Sequence, residues 1–80
     1  MMRVHVKLIA NYRAALPSHA KHGVVELDVP ETSTVYDVIS RFDIPLNDES
    51  VIVLNGLTVE LSAPLQEGDT VAAFSAIAGG

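Results

Sequence analysis

The chain has 80 residues, of which 49% are hydrophobic and 19% are charged. A chain of this size has surface for one hydrophobic core, and this composition is too apolar for disorder and too interrupted by charges for a membrane span. Ten acidic and five basic residues give a formal net charge of −5, which repels phosphate backbones and argues against nucleic-acid binding.

The first third of the sequence predicts two strands separated by a loop. Apolar and polar residues alternate from Arg3 to Ile9 and again from Gly23 to Val29, which is the period of half-buried strands. Residues 11–20 lose this period and contain Pro17, so we expect a loop with a short helical turn. Pro30 ends the second run. The two strands are expected to pair as a hairpin with a long loop.

A short amphipathic helix follows. Thr34 is a favourable N-cap residue, with Asp37 three positions later, the spacing of a reciprocal capping arrangement. Pro45 closes the element, because the residue before a proline avoids the helical region. The apolar residues at the spacing of one helical face are Val35, Val38, Ile39 and Phe42.

The last 30 residues predict three more strands. An apolar run at residues 51–54 ends in Asn55-Gly56, a dipeptide that tolerates the positive φ angles of a tight hairpin turn. A short strand at 57–60 and a turn at Gly68-Asp69 follow. The last strand, at 70–77, is nearly continuous in apolar residues, so we expect it to be central and covered on both faces.

This element order, two strands, a helix and three strands, is that of the ubiquitin-like β-grasp. We therefore predict an α+β fold in which a mixed sheet of about five strands carries one main helix on one face. We expect residues 1–78 to form this domain, and Gly79 and Gly80 to form a flexible C-terminal tail. In such a fold the first and last strands lie side by side and parallel, so the tail leaves from the middle of the sheet.

The tail is the candidate reactive group. A residue without a Cβ can enter a narrow channel, and Gly80 would present a free carboxylate there; the alternative is an ordinary chain end, since ends often carry small residues. Phe74, Ala76 and Ile77 are the candidate partner-docking residues, since an exposed aromatic beside apolar neighbours often anchors an interface. Phe74 equally fits a core position.

The C-terminal third resembles the MoaD/ThiS sulfur carriers, the small subunit of molybdopterin synthase and the carrier for the thiamine thiazole ring. The residues that carry this resemblance are Leu65, Gly68-Asp69, Val71, Phe74 and Gly79-Gly80. The resemblance implies that a partner enzyme uses ATP to adenylate Gly80, and that sulfur then replaces AMP to give a thiocarboxylate. Pro64-Leu65 and the segment 11–22 resemble the molybdopterin branch. That branch usually has two prolines before the tail, where this chain has Ser75-Ala76, and the ending at residues 74–80 looks more like the thiamine branch.

The expected partners are an adenylyltransferase similar to the ubiquitin activators and a sulfur-accepting synthase, either the large subunit of molybdopterin synthase or thiazole synthase. The chain is expected to be a substrate without catalysis of its own, with no bound cofactor and no membrane partner. The alternatives are a ubiquitin-like modifier joined to lysines through Gly80, or a β-grasp interaction module.

Three further expectations concern charge, metals and location. The acidic residues could steer a basic partner or form an ordinary solvated surface; they include Asp48, Glu49, Glu60, Glu67 and Asp69. There is no cysteine, and His19 and His22 lack an obvious third ligand, so no metal site is predicted. The first residues lack the apolar region of a secretion signal, so a cytoplasmic location is expected.

Overall fold

A computed structural model describes residues 1–46 and 49–76. The predicted order of strands and helix is confirmed, and the short helical turn expected between the first two strands is a 3-10 helix. The elements are β1 (Met2–Leu8), a 3-10 helix (Ala10–Ala15), β2 (Val24–Val29), α1 (Val35–Ile39), β3 (Ser50–Leu54), β4 (Leu57–Thr58) and β5 (Thr70–Ser75). No helix in the described ranges is long and apolar enough to cross a bilayer.

The strands form one mixed sheet in the order β2-β1-β5-β3-β4. β1 pairs antiparallel with β2 and parallel with β5, while β5 pairs antiparallel with β3. The first and last strands are therefore neighbours at the centre of the sheet, as predicted. Because they are parallel, the C-terminal end of β5 lies beside the C-terminal end of β1.

The hydrophobic core lies between one face of the sheet and α1. Val35, Val38 and Ile39 of the helix are fully buried, as are Val71 and Ala73 of β5. The expectation that β5 is covered on both faces was wrong, because the alternate residues of β5 are less buried and no further element covers their face among residues 1–46 and 49–76. We call this second surface the open face.

The helix begins as predicted but is shorter. The Thr34 hydroxyl accepts a hydrogen bond from the Asp37 N–H (3.3 Å), and the Asp37 carboxylate accepts one from the Thr34 N–H (2.9 Å). The α-helix ends at Ile39, and the N–H groups of Arg41 and Phe42 donate to carbonyls three residues back. Phe42 still packs against the core, so its place in the apolar pattern is retained although it lies outside the helix.

The loop after β1 contains a buried anchor for which the sequence pattern indicated no role. Tyr12 is only 3% exposed, and its hydroxyl lies 2.7 Å from the hydroxyl of Ser50 and donates to the carbonyl of Pro45 at 3.2 Å. The 3-10 helix is thereby tied to the start of β3. The chain then returns to β2 through the tight turn His22-Gly23, where both residues have positive φ (56° and 77°).

Candidate functional site

The two faces of β5 differ in exposure. Val71 and Ala73 are fully buried in the core, whereas Ala72 and Phe74 are half-buried on the open face, because successive residues of a strand point to opposite sides. Phe74 is therefore not a residue of the helix-side core, which was one of its two predicted locations. It lies on the face that a partner can reach.

Phe74 and Ala72 belong to a small apolar surface that spans two strands. In the β3–β5 register, Val51 lies opposite Phe74 and Val53 lies opposite Ala72, and both valines are half-buried. Cross-strand neighbours on one face are in contact distance of each other. We call these four residues the open-face patch. Val51 and Val53 were not among the predicted docking residues, because their role depends on the strand pairing and not on the local sequence.

The remaining predicted site residues lie beyond the strand. β5 ends at Ser75, two residues earlier than predicted. Ala76 is exposed, and its N–H donates to the carbonyl of Glu49 (2.6 Å). Ile77, Gly79 and Gly80 lie outside the described residues. The chain therefore reaches these residues directly from a central strand, at the end of the sheet that carries Phe74.

The turn that begins β5 is fixed by the carboxylate of Asp69. This group accepts hydrogen bonds from the N–H of Gln66 (2.8 Å) and from the side-chain amide of Asn55 (2.9 Å). The backbone of the same turn bonds to β1, since the His5 N–H donates to the Asp69 carbonyl and the Gly68 N–H donates to the Arg3 carbonyl, both at 2.8 Å. These contacts set the register of β5 against its neighbours.

Charged side chains occupy the β1–β2 half of the open face. The Arg3 guanidinium donates to Asp28 (3.1 Å), and His5 Nε2 lies 2.9 Å from a Glu26 carboxylate oxygen. The hydrogen bond to Asp28, reinforced by the negative charge of that group, raises the pKa of Arg3. Both pairs are substantially exposed, so each contributes little to stability. They lie toward the start of β1, away from the end where β5 leads to the tail.

Within residues 1–46 and 49–76, no group of three or more His, Asp or Glu side chains is placed to hold a metal ion. His19 and His22 are both exposed. Of the acidic residues for which steering of a partner and an ordinary solvated surface were both considered, Asp48 lies outside the described residues. Asp69 is used in the turn, and Glu67 accepts from the backbone of Arg3 (3.2 Å).

A mixed five-stranded sheet with one capped helix and a parallel pair of first and last strands defines a ubiquitin-like β-grasp protein. Several solved structures share it. SAMP1 from Haloferax volcanii is 26% identical with a TM-score of 0.74, and the match covers 98% of this chain and 99% of that one. A second structure of small archaeal modifier protein 1 from H. volcanii is 24% identical with a TM-score of 0.76, covering 96% and 100%.

The third is a candidate molybdopterin converting factor, subunit 1, from Pyrococcus furiosus, which is 23% identical with a TM-score of 0.76 and a match covering 96% of this chain and 100% of that one. At this identity the match shows a common fold. The ubiquitin-like fold that the resemblance to the sulfur carriers implies is confirmed by the three structures together. A search of curated proteins gave no match. The family model described as Mut7-C ubiquitin matches residues 1–78, and the chain belongs to this family.

Proposed function

We propose that this protein is a sulfur carrier for molybdopterin biosynthesis, which reacts at the carboxyl group of Gly80. The observation that carries the proposal is the position of β5. It is a central strand, paired on both sides, and it leads to residues 77–80 at the end of the sheet where Phe74 marks an accessible apolar patch. A partner bound to that patch would lie next to the point where the chain continues into residues 77–80.

The proposed chemistry has three steps. A Gly80 carboxylate oxygen attacks the α-phosphorus of ATP, which releases pyrophosphate and leaves an acyl adenylate. The terminal sulfur of a donor persulfide then attacks the acyl carbon and displaces AMP. A second thiol reduces the resulting acyl disulfide, so that the thiocarboxylate is released and the donor is left as a disulfide. The ATP site and the electrostatic stabilisation belong to the activating enzyme, and this chain is its macromolecular substrate.

The absence of cysteine suits this role. A thiocarboxylate at Gly80 would be the single strongly nucleophilic sulfur of the protein, so sulfur transfer would not compete with disulfide exchange inside the carrier. Gly79 and Gly80 would also leave the acyl carbon open on both sides, because neither has a Cβ. Two different enzymes have to reach this carbon, one to activate it and one to accept its sulfur.

We assign the carrier to the molybdopterin branch because segment 11–22 and Pro64-Leu65 resemble that branch. The shared fold of the P. furiosus protein is compatible with this assignment. The sulfur acceptor would then be the large subunit of molybdopterin synthase. Ser75-Ala76 favours the thiamine branch instead, in which thiazole synthase would be the sulfur acceptor. Affinity capture from the host with a Gly80 thiocarboxylate form would separate the two, since each predicts a different acceptor.

A second candidate function is that of a ubiquitin-like modifier, in which a lysine amine attacks the activated Gly80 carbonyl and an isopeptide bond forms. The observation that favours it is the match to SAMP1. Its sequence identity of 26% is higher than the 23% of the P. furiosus protein. Both functions begin with the same adenylation. They differ in whether sulfur or nitrogen is found on the Gly80 acyl carbon afterwards.

Intact mass spectrometry of the protein purified from its host tests the proposal. A carrier is heavier than its sequence mass by the difference between sulfur and oxygen, and a modifier is found attached to other proteins. Because oxidation of either of the two methionines adds nearly the same mass, the sample should also be treated with a thiol-alkylating reagent. In a chain without cysteine, an alkyl group on the C-terminal peptide identifies the thiocarboxylate, and its absence during active cofactor synthesis contradicts the proposal.

A further inference from the structure

The two lysines of the chain, Lys7 and Lys21, lie in one row across the open face. Lys21 forms a bridge with Val24, and Val24 is the β2 partner of Lys7. Lys7 is in turn the β1 partner of Ala72, a member of the open-face patch. Residues paired directly across strands point to the same face. Both lysines are exposed, so two ammonium groups border the patch on its β1–β2 side.

These lysines differ from the other cations of the open face in lacking an acidic partner opposite them. Arg3 pairs with Asp28 at 3.1 Å and His5 with Glu26 at 2.9 Å, but the residue opposite Lys7 is Val24. In the part of the chain that the structure describes, neither lysine forms an ion pair. Each ammonium group is therefore available to a partner without first breaking an internal contact.

The surroundings of the lysines limit what can bind to them. Lys21 shares a depression of about 440 Å³ with His5, His19 and Glu26. Glu26 follows Val24 by two residues along β2, so both side chains lie on the same face. Two residues along a strand correspond to about 7 Å. A polyanion such as RNA would meet Glu26 and then Asp28 as it extended along β2, in a chain whose net charge is −5. Isolated carboxylates in the row of the two lysines do not extend along β2 to Asp28, so they meet less of that repulsion.

We propose that the enzyme that adenylates the tail presents acidic side chains to Lys7 and Lys21, next to an apolar surface that covers the open-face patch. This inference rests on the proposed function and specifies the chemistry of its partner. It differs from the sequence-based possibility of a basic partner, because the charged residues in the strand row of the patch are Lys7 and Lys21. Charges at the rim of an interface act mainly on the association rate and on its salt dependence.

The test uses the purified full-length chain and the adenylyltransferase of the same host. ATP–pyrophosphate exchange is measured as a function of carrier concentration for the wild type, for Lys7→Glu and for Lys21→Glu. The matched control is Arg41→Glu, which makes the same charge change at an exposed position just after α1. We expect each lysine variant to raise KM about tenfold at low salt with kcat unchanged, a difference that shrinks as salt screens the contact. Arg41→Glu should change KM less than twofold.

Two results would overturn the inference. One is a KM for the lysine variants equal to or below that of Arg41→Glu, and the other is Lys7-dependent binding of the wild type to a labelled single-stranded RNA. Circular dichroism checks folding, and Lys7→Gln and Lys21→Gln replace any glutamate variant that does not fold. If the wild type itself supports no exchange, the proposed function has failed. If the wild type supports exchange but the lysine variants have the same KM as Arg41→Glu, the acidic-partner inference has failed and the proposed function stands.

Discussion

The side-chain amide of Asn55 donates a 2.9 Å hydrogen bond to the carboxylate of Asp69, which joins the β3–β4 turn to the turn that begins β5. The carbonyl oxygen of the same amide accepts from the N–H of Thr70 (2.9 Å), and the Asn55 N–H donates to the Thr70 carbonyl (2.9 Å). Asn55 also has a φ of 51°, which asparagine tolerates better than most residues. Asn55 therefore adopts the backbone conformation that the β3–β4 turn requires, and its side chain holds the turn before β5 in place.

Replacing Asn55 tests this double role. Asn55→Ala removes both side-chain hydrogen bonds and places a Cβ residue at positive φ, so we expect a loss of about 2–3 kcal/mol in the free energy of unfolding. Asn55→Gly removes the same bonds and relieves the backbone, so it should cost about 1 kcal/mol less. Urea denaturation of the three proteins measures both values. Equal stability of the alanine variant and the wild type would show that the link between the turns is not energetically important.

The sequence allowed Asn55-Gly56 and Gly68-Asp69 to be recognised as turns, because their residues favour the required backbone angles locally. It did not show that the two turns bond to each other, since residues 55 and 69 are brought together only by the pairing of β3 with β5. The same reason explains why Tyr12 was missed. A tyrosine in a loop carries no periodic signal, and its partners at Pro45 and Ser50 are far away in the sequence.

Tyr12→Phe should destabilise the fold by about 1 kcal/mol, because it removes one hydroxyl from a partly buried hydrogen-bonded group and keeps the ring in the core. Tyr12→Ala should cost about 3 kcal/mol or more, since it also leaves a cavity. Thermal unfolding of both variants checks the order. A phenylalanine variant as unstable as the alanine variant would mean that the hydroxyl, and not the ring, holds the 3-10 helix in place.

Phe74 and Val71 lie on opposite faces of β5, so variants at these two positions distinguish an effect on partner binding from an effect on the stability of the fold. Val71→Ala removes a fully buried side chain and should lower the free energy of unfolding by about 1–2 kcal/mol, with the KM for adenylation unchanged. Phe74→Ala should raise that KM at least tenfold if Phe74 anchors the partner. Urea unfolding and pyrophosphate exchange measure the two effects. A Phe74 variant with normal exchange kinetics would place the contact elsewhere.

Features of the site that depend on nearby residues in the sequence could be predicted, whereas those that depend on pairing between distant strands could not. The position of Phe74 in the last strand was visible in the sequence, but the face to which it points depends on which neighbour covers the sheet. Val51 and Val53 join it only through the register of β3 with β5. Lys7 and Lys21 likewise look unrelated in the sequence. Their shared row depends on the two-residue turn at His22-Gly23, whereas the alternating pattern predicted that Gly23 begins the second strand.

The Gly80 carboxyl group is the centre of the proposal, and the end of the chain can be changed without touching the described fold. Addition of one alanine after Gly80 moves the free carboxylate outward by about 3.5 Å, and deletion of Gly80 moves it inward by the same distance. Both variants should keep the wild-type melting temperature. Their rate of pyrophosphate exchange should fall at least a hundredfold. Gly80→Ala keeps the chain length and should also be strongly impaired, because its Cβ narrows access to the acyl carbon. Ala78→Ser, which leaves both glycines in place, is the control and should exchange normally. Normal exchange by the extended chain would show that the Gly80 carboxylate is not the group that reacts with ATP.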